Sequence, residues 1–178
     1  MHPRELLTEF DRYLRERGLR FNAIVVGGTA LNLLGVVSRP TKDCDILFPR
    51  IPEEIAQASR AFAAQIRAVE MLQDDWLNNG PATLIEHLPL GWQERVLTVF
   101  AGEALHLRCL GRQDLLCAKL FALCDRGIDF DDCIALAPSP VELAAVRVWL
   151  EPQDGNLEWP EHVRNTLADV ARRLGHAI

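Results

Sequence analysis

The sequence predicts an α/β fold: a small mixed sheet with helices around it, followed by an all-helical C-terminal part. Three observations predict it. Two short runs rich in aliphatic and β-branched residues, "FNAIVV" (21–26) and "DCDILF" (43–48), are separated by a double glycine and a short helical stretch. Two further runs, "RVLTVF" (95–100) and "ALHLRCL" (104–110), surround Gly102 as the strands of a hairpin would. Beyond Arg112 the apolar residues recur only at helical spacing.

Each element follows from its own residues. Over 3–17, Leu6, Leu7, Phe10 and Leu14 recur at helical spacing with charges between them, and Gly18 ends the helix. The run 21–26 is short and apolar, suits a buried strand, and is stopped by Gly27 and Gly28. Residues 29–36 read as a short helix that Pro40 breaks, and 43–48 as a second strand before Pro49 and Pro52. Residues 53–72 are alanine-rich with helical periodicity, and the glycine- and proline-marked stretch 78–91 reads as loop. After the hairpin come helices over 112–126, 129–137, 140–150 and 160–175, parted by Pro138, Pro140, Pro152 and Pro160. The domain organisation expected is an α/β core over 1–111 and a helical part over 112–178, packed as one unit with the core.

Composition narrows the function classes. At 178 residues, with 49% hydrophobic and 25% charged residues, the chain is long enough to fold around its own core without staples. Its longest apolar stretch, 23–37, contains Asn32 and glycines and falls short of the ~20 residues that a spanning helix needs, so no membrane partner is expected. The N-terminal "MHPRELLTEF" carries charge where a signal peptide is apolar. The five cysteines are odd in number, lack a C-x-x-C pair and mostly lie among apolar neighbours, which points to a reducing, cytoplasmic setting. A net charge of −6 argues against a broad nucleic-acid-binding face, but leaves room for one nucleotide in a pocket.

The chemistry is concentrated in "VVGGTALNLLGVVSRPTKDCDILF" (25–48). Side chains alternate along a strand, so Asp43 and Asp45 share one face, ~6.5–7 Å apart along the chain, while Cys44 and Ile46 take the other. Two like charges on one face repel, and a divalent cation between or beside them relieves that repulsion. Magnesium in particular binds through one or two carboxylates plus substrate phosphates. Gly27 and Gly28, at a strand end leading into a helix, let backbone N–H groups approach a phosphate, and Thr29 adds a hydroxyl. One strand end would hold phosphates and the neighbouring strand their metal, Mg2+ or Mn2+, which is a layout for phosphoryl or nucleotidyl transfer. The sequence contains neither G-x-G-x-x-G nor G-x-x-x-x-G-K-[ST].

These residues carry a resemblance. "GGTALNLLGVVSRPTKDCDIL" resembles the signature of the DNA polymerase β-like nucleotidyltransferase superfamily, and within it the bacterial nucleotidyltransferases related to the AbiEii and MenT toxins of toxin–antitoxin systems. Arg39, Thr41, Asp43 and Asp45 match the R-x-T-x-D-x-D run of those proteins, and Asp114, Lys119, Arg126, Asp129 and Asp132 match a later helical pattern. The resemblance implies the nucleotidyltransferase fold, Asp43 and Asp45 as metal-holding catalytic residues and Lys119 as a further catalytic residue. It implies Gly27, Gly28, Thr29, Arg39, Thr41, Arg126 and Asp129 as nucleotide-binding, with a nucleoside triphosphate as substrate. Members add a third carboxylate from a later strand. Neither hairpin strand holds an acidic residue, which leaves Glu94 or Glu103 at their flanks.

Read on its own residues, the second segment gives Arg112, Lys119 and Arg126 every seven residues on one helix face, opposite Leu115, Leu116, Leu120 and Leu123. Such a basic stripe meets phosphates or is a solvated face. Lys119 lies within "LLCAKLFAL", where a lysine is costly unless paired or facing a cleft; Asp129 and Asp132 are its partners or a helix cap. The histidines show no ligand spacing, and the four tryptophans read as packing anchors. Two functions follow: an enzyme moving a nucleotidyl group to an RNA, protein or small-molecule acceptor, or a degenerate binding module of the same fold that senses a nucleotide or neutralises a partner protein.

Overall fold

In the computed structural model, which describes residues 2–41, 43–67 and 71–176, the chain forms two compact units, Met1–Ile85 with Arg95–Leu110 and Glu86–Glu94 with Gly111–Ile178. The first contains α1 (Pro3–Glu16), β1 (Phe21–Val26), α2 (Gly27–Leu33), β2 (Cys44–Phe48), α3 (Glu53–Ile66), β3 (Leu77–Asn78), β4 (Leu97–Ala101) and β5 (Leu105–Cys109). Its five-stranded sheet has the order β3-β2-β1-β5-β4. β1 runs antiparallel to β2 and parallel to β5, β3 runs parallel to β2, and β4 and β5 form the expected hairpin. The fold is thus mixed α/β, as the sequence predicts.

Local chemistry explains the elements that frame the site. At the start of α1, Pro3 occupies the first turn, and the Glu5 carboxylate accepts from the His2 N–H at 3.0 Å. Leu6, Leu7, Phe10 and Leu14 are buried, and the Phe10 ring joins Tyr13, Phe62 and Trp76 in an aromatic cluster. Fully burying such a side chain stabilises by roughly 1.5–3 kcal/mol. Asp11, also on α1, accepts from the backbone N–H groups of Leu105 (2.7 Å), Ala104 (2.8 Å) and Glu103 (3.2 Å), which anchors the β4–β5 turn. Burial alone would raise the Asp11 pKa, but the three N–H donors outweigh it and the pKa is lowered.

Helix α2 is shorter than the predicted 29–36. It starts at Gly27 and ends at Leu33, because Gly35, at φ +73, closes it well before Pro40. The Val36 N–H reaches the Leu31 carbonyl and the Gly35 N–H that of Asn32, each at 2.9 Å, so the orphan carbonyls of the last turn are satisfied. Helix α3 ends at Ile66 rather than 72; residues 68–70 of that prediction lie outside the described residues, and 71–72 are not helical. The predicted loop 78–91 overlaps a two-residue strand, β3, and a 3-10 turn at Ala82–His87. The strand predicted over 95–100 occupies Leu97–Ala101, after a second 3-10 turn at Trp92–Arg95.

The second unit contains α4 (Arg112–Arg126), α5 (Phe130–Ala135), α6 (Pro140–Leu150) and α7 (Trp159–Arg173). Gly127, at φ +67, ends α4 in the left-handed conformation that glycine adopts without strain. Leu115, Leu116, Leu120 and Leu123 are buried as predicted. Ser139 caps α6, its Oγ accepting from the Glu142 N–H at 3.3 Å while the Glu142 carboxylate accepts from the Ser139 N–H at 2.8 Å. Trp159 and Trp149 stack edge-on against Phe121, and His162 and His176 donate to the Cys124 and Pro138 carbonyls, so these residues pack as the sequence suggests. Among the described residues no helix is long and apolar enough to cross a membrane.

Candidate functional site

The two sequence motifs meet in the sheet. Val26, the last residue of β1, is the register partner of Asp45, so the Gly27–Gly28 turn emerges beside the aspartate strand. Gly27 takes φ +69, and a Cβ there would come within 2.5 Å of Asp45 Oδ2. Only a glycine lets the Asp45 carboxylate approach the turn this closely. Asp43 lies just before β2. Asp43 is exposed and Asp45 half-buried, while Cys44 and Ile46 are buried, as the alternation of an extended segment requires. Burial first, then the charges of Asp45 and Asp43, push the Cys44 thiol far above its ordinary range, so it is an inert core group.

The threonines hold the backbone that carries the aspartates. Thr29 Oγ1, buried in α2, donates to the Asp43 carbonyl at 2.6 Å, and Thr41 Oγ1 donates to the same oxygen at 3.4 Å. The Thr29 hydroxyl, expected at a phosphate, is here a tie between α2 and the start of β2. A Cβ on Gly28 would come within 3.3 Å of Thr41 Oγ1, so this glycine also admits a close neighbour. Arg39 is exposed, and its carbonyl accepts from Asn32 Nδ2 at 3.1 Å, which pins the segment leading to the aspartates.

Sequence reasoning missed two asparagines. Asn78 is the register partner of Asp45 on β3 and donates from Nδ2 to Asp45 Oδ1 at 3.1 Å. Asn79 latches the far end of β2: its Nδ2 donates to the Ile46 carbonyl (2.9 Å) and the Pro49 carbonyl (3.1 Å), and its Oδ1 accepts from the Ile51 N–H (2.8 Å). In the stretch "DDWLNNGP" the two asparagines read as turn residues, and their partners are set by a pairing that leaves no local signal.

On the side away from β1, the strand next to the aspartates is β3, not one of the hairpin strands, and its residue opposite Asp45 is an amide. Glu103 is corrected as a candidate third carboxylate. It pairs with Arg15 at 2.8 Å in the turn before β5, and because Phe21 pairs with Leu105, that turn lies at the end of the sheet away from Gly27. Glu94 belongs to the second unit. Among the described residues, no three His, Cys, Asp or Glu side chains are clustered to hold a metal. The donor set of two carboxylates suits a hard cation such as Mg2+ or Mn2+ that draws its other ligands from water and phosphate oxygens. A shallow recess lies between Asp43, Thr29 and Thr41 and the Leu6–Leu7 face of α1.

Lys119, Arg126 and Asp129 belong to the second unit and are described within it. Lys119, only 7% exposed, places Nζ 2.7 Å from Asp132 Oδ2 and 3.0 Å from Asp129 Oδ2. The acidic residues are therefore its partners. Asp129 adopts φ +71, uncommon outside glycine, as it leads into α5. The predicted basic stripe is split. Arg112 donates to Glu142 and to the Leu136 carbonyl, Lys119 is buried in its ion pairs, and Arg126 is exposed near Asp125.

A family of proteins described as "Nucleotidyltransferase of unknown function (DUF6036)" matches residues 4–136. No curated protein and no solved structure matches the chain.

Proposed function

Because the chain belongs to this family of nucleotidyltransferases, we propose that it transfers a nucleotidyl group from a nucleoside triphosphate to an acceptor hydroxyl or phosphate. In this reading Asp43 and Asp45 hold Mg2+ or Mn2+, and the chain is kin to the AbiEii and MenT nucleotidyltransferases. One observation carries the site: the Asp45 carboxylate approaches Gly27 so closely that a Cβ there would have to displace it. A divalent cation held by Asp43 and Asp45 would supply electrostatic stabilisation of the charge that develops on the leaving pyrophosphate.

The residues of this chain do the rest. Thr29 and Thr41 fix the Asp43 carbonyl, and with it the backbone from which the two carboxylates project. The backbone N–H groups of Gly27 and Gly28, at the start of α2, bind phosphate oxygens. Arg39 adds positive charge toward the phosphates. Lys119, Arg126 and Asp129 enter the reading through the spacing they share with the AbiEii-like nucleotidyltransferases, Lys119 already held by two carboxylates. The acceptor is an RNA, a protein or a small molecule, and the net charge of −6 favours one that does not need a broad basic face. Five free, buried cysteines suit a reducing, cytoplasmic setting.

Pyrophosphate release tests this reading. The wild type with Mg2+, a nucleoside triphosphate and fractionated cell lysate should release pyrophosphate, and Asp43→Asn or Asp45→Asn should abolish it with the melting temperature unchanged or raised. Magnesium-dependent nucleotide binding with no pyrophosphate from any fraction supports the binding-module reading instead.

A further inference from the structure

The side chain of Asn78 is oriented from both ends. Its Oδ1 accepts from the Gly80 N–H at 2.7 Å, which leaves Nδ2 to face Asp45 Oδ1 at 3.1 Å. A Cβ on Gly80 would come within 2.9 Å of Asn78 Oδ1, so the turn also keeps that approach open. The Asp45 carboxylate is thereby fixed between strands: Oδ1 meets the Asn78 amide, and Oδ2 lies toward the Gly27 backbone. An amide in this place does two things that a carboxylate would not. It donates a hydrogen bond to Asp45, and it adds no charge beside the aspartate pair.

We propose that Asn78 is a positioning residue of the cation–nucleotide site, and that its neutrality makes cation binding depend on the oxygens of the triphosphate. The inference rests on the site proposed above. Cation affinity rises with the charge count of the ligands. Two carboxylates beside a neutral amide hold a free divalent ion weakly, and the triphosphate supplies the missing negative charge. The protein would then take up cation and nucleotide together rather than storing the ion. A bland alternative is that Asn78 only shapes the turn through Gly80.

Mn2+ binding, followed by electron paramagnetic resonance and by thermal melting, separates the two. Asn78→Asp keeps an acceptor for the Gly80 N–H but brings a charge beside Asp45. It should melt lower than wild type in chelator, regain stability on adding Mn2+, and bind Mn2+ alone about tenfold tighter or more. Asn78→Leu should weaken binding of Mn2+ with a non-hydrolysable triphosphate by about 10–100-fold, as loss of a ligand's supporting partner does. If Asn78→Leu does not fold, Asn78→Asp alone decides. Wild-type Mn2+ and Mn2+–nucleotide binding in the foldable Asn78 variants, while Asp45→Asn loses it, would assign Asn78 to the turn and overturn this inference alone. Wild-type binding in Asp45→Asn would remove the site, and this inference with it.

Discussion

Asp45 Oδ2 lies 2.5 Å from where a Cβ on Gly27 would be, at a glycine whose φ is +69. The same absence of a side chain thus serves the backbone turn and the approach of the carboxylate. Gly27→Ala meets both obstacles at once. A left-handed alanine costs roughly 1–2 kcal/mol, and the new methyl must displace Asp45. The expected outcome is a melting temperature lowered by several degrees and loss of cation-dependent nucleotide binding, measured by differential scanning calorimetry and titration calorimetry. Wild-type nucleotide affinity in this variant would detach the turn from the site.

Lys119 and its two aspartates make a different prediction. Removing one member of a buried ion pair leaves uncompensated charge and costs about 3–5 kcal/mol. Lys119→Met should therefore destabilise strongly in urea melts, and adding Asp132→Asn should recover part of the loss, since residues in one network are not additive. Activity lost in Lys119→Met is informative only in the double variant that regains its fold.

The Arg112–Glu142 pair predicts a pH dependence. The Arg112 guanidinium foremost, with the Ser139 N–H, lowers the Glu142 pKa from 4.5 to about 2. A lowered pKa means that the contribution is fully present above about pH 4.5 and is lost as pH falls toward 2. The Glu142 side chain is 32% exposed and Arg112 50%, so solvent screening limits the pair to about 1 kcal/mol. Glu142→Gln should lower the melting temperature by roughly 2–4 °C at pH 7, and the difference should vanish near pH 2. A constant difference across that range would contradict the assignment.

What the sequence made legible follows from how local the cause is. Helix α4 was predictable to the residue because its apolar spacing and Gly127 are both local, and β1 because a double glycine closes it. β3 was not, because asparagine is a poor strand former and the two-residue strand exists only through pairing with β2. The end of α2 was misjudged because Gly35 stops the helix through two backbone hydrogen bonds, a weaker written signal than Pro40. At the site, the double glycine and the paired aspartates stand out as residue types, and their meeting required only that β1 and β2 be neighbours. Asn32, Asn78 and Asn79 act through hydrogen bonds to residues 7 to 33 positions away, which no spacing reveals.

The most direct test of the central claim is the fate of the label from two forms of one nucleoside triphosphate, supplied with Mg2+ to the protein and its acceptor-containing lysate fraction. Nucleotidyl transfer at Asp43 and Asp45 predicts that α-phosphorus label enters the acceptor while γ-phosphorus label leaves as pyrophosphate, and that Asp45→Asn abolishes both. Label entering the acceptor from the γ-phosphorus, or α-label transfer undiminished in Asp45→Asn, would contradict it.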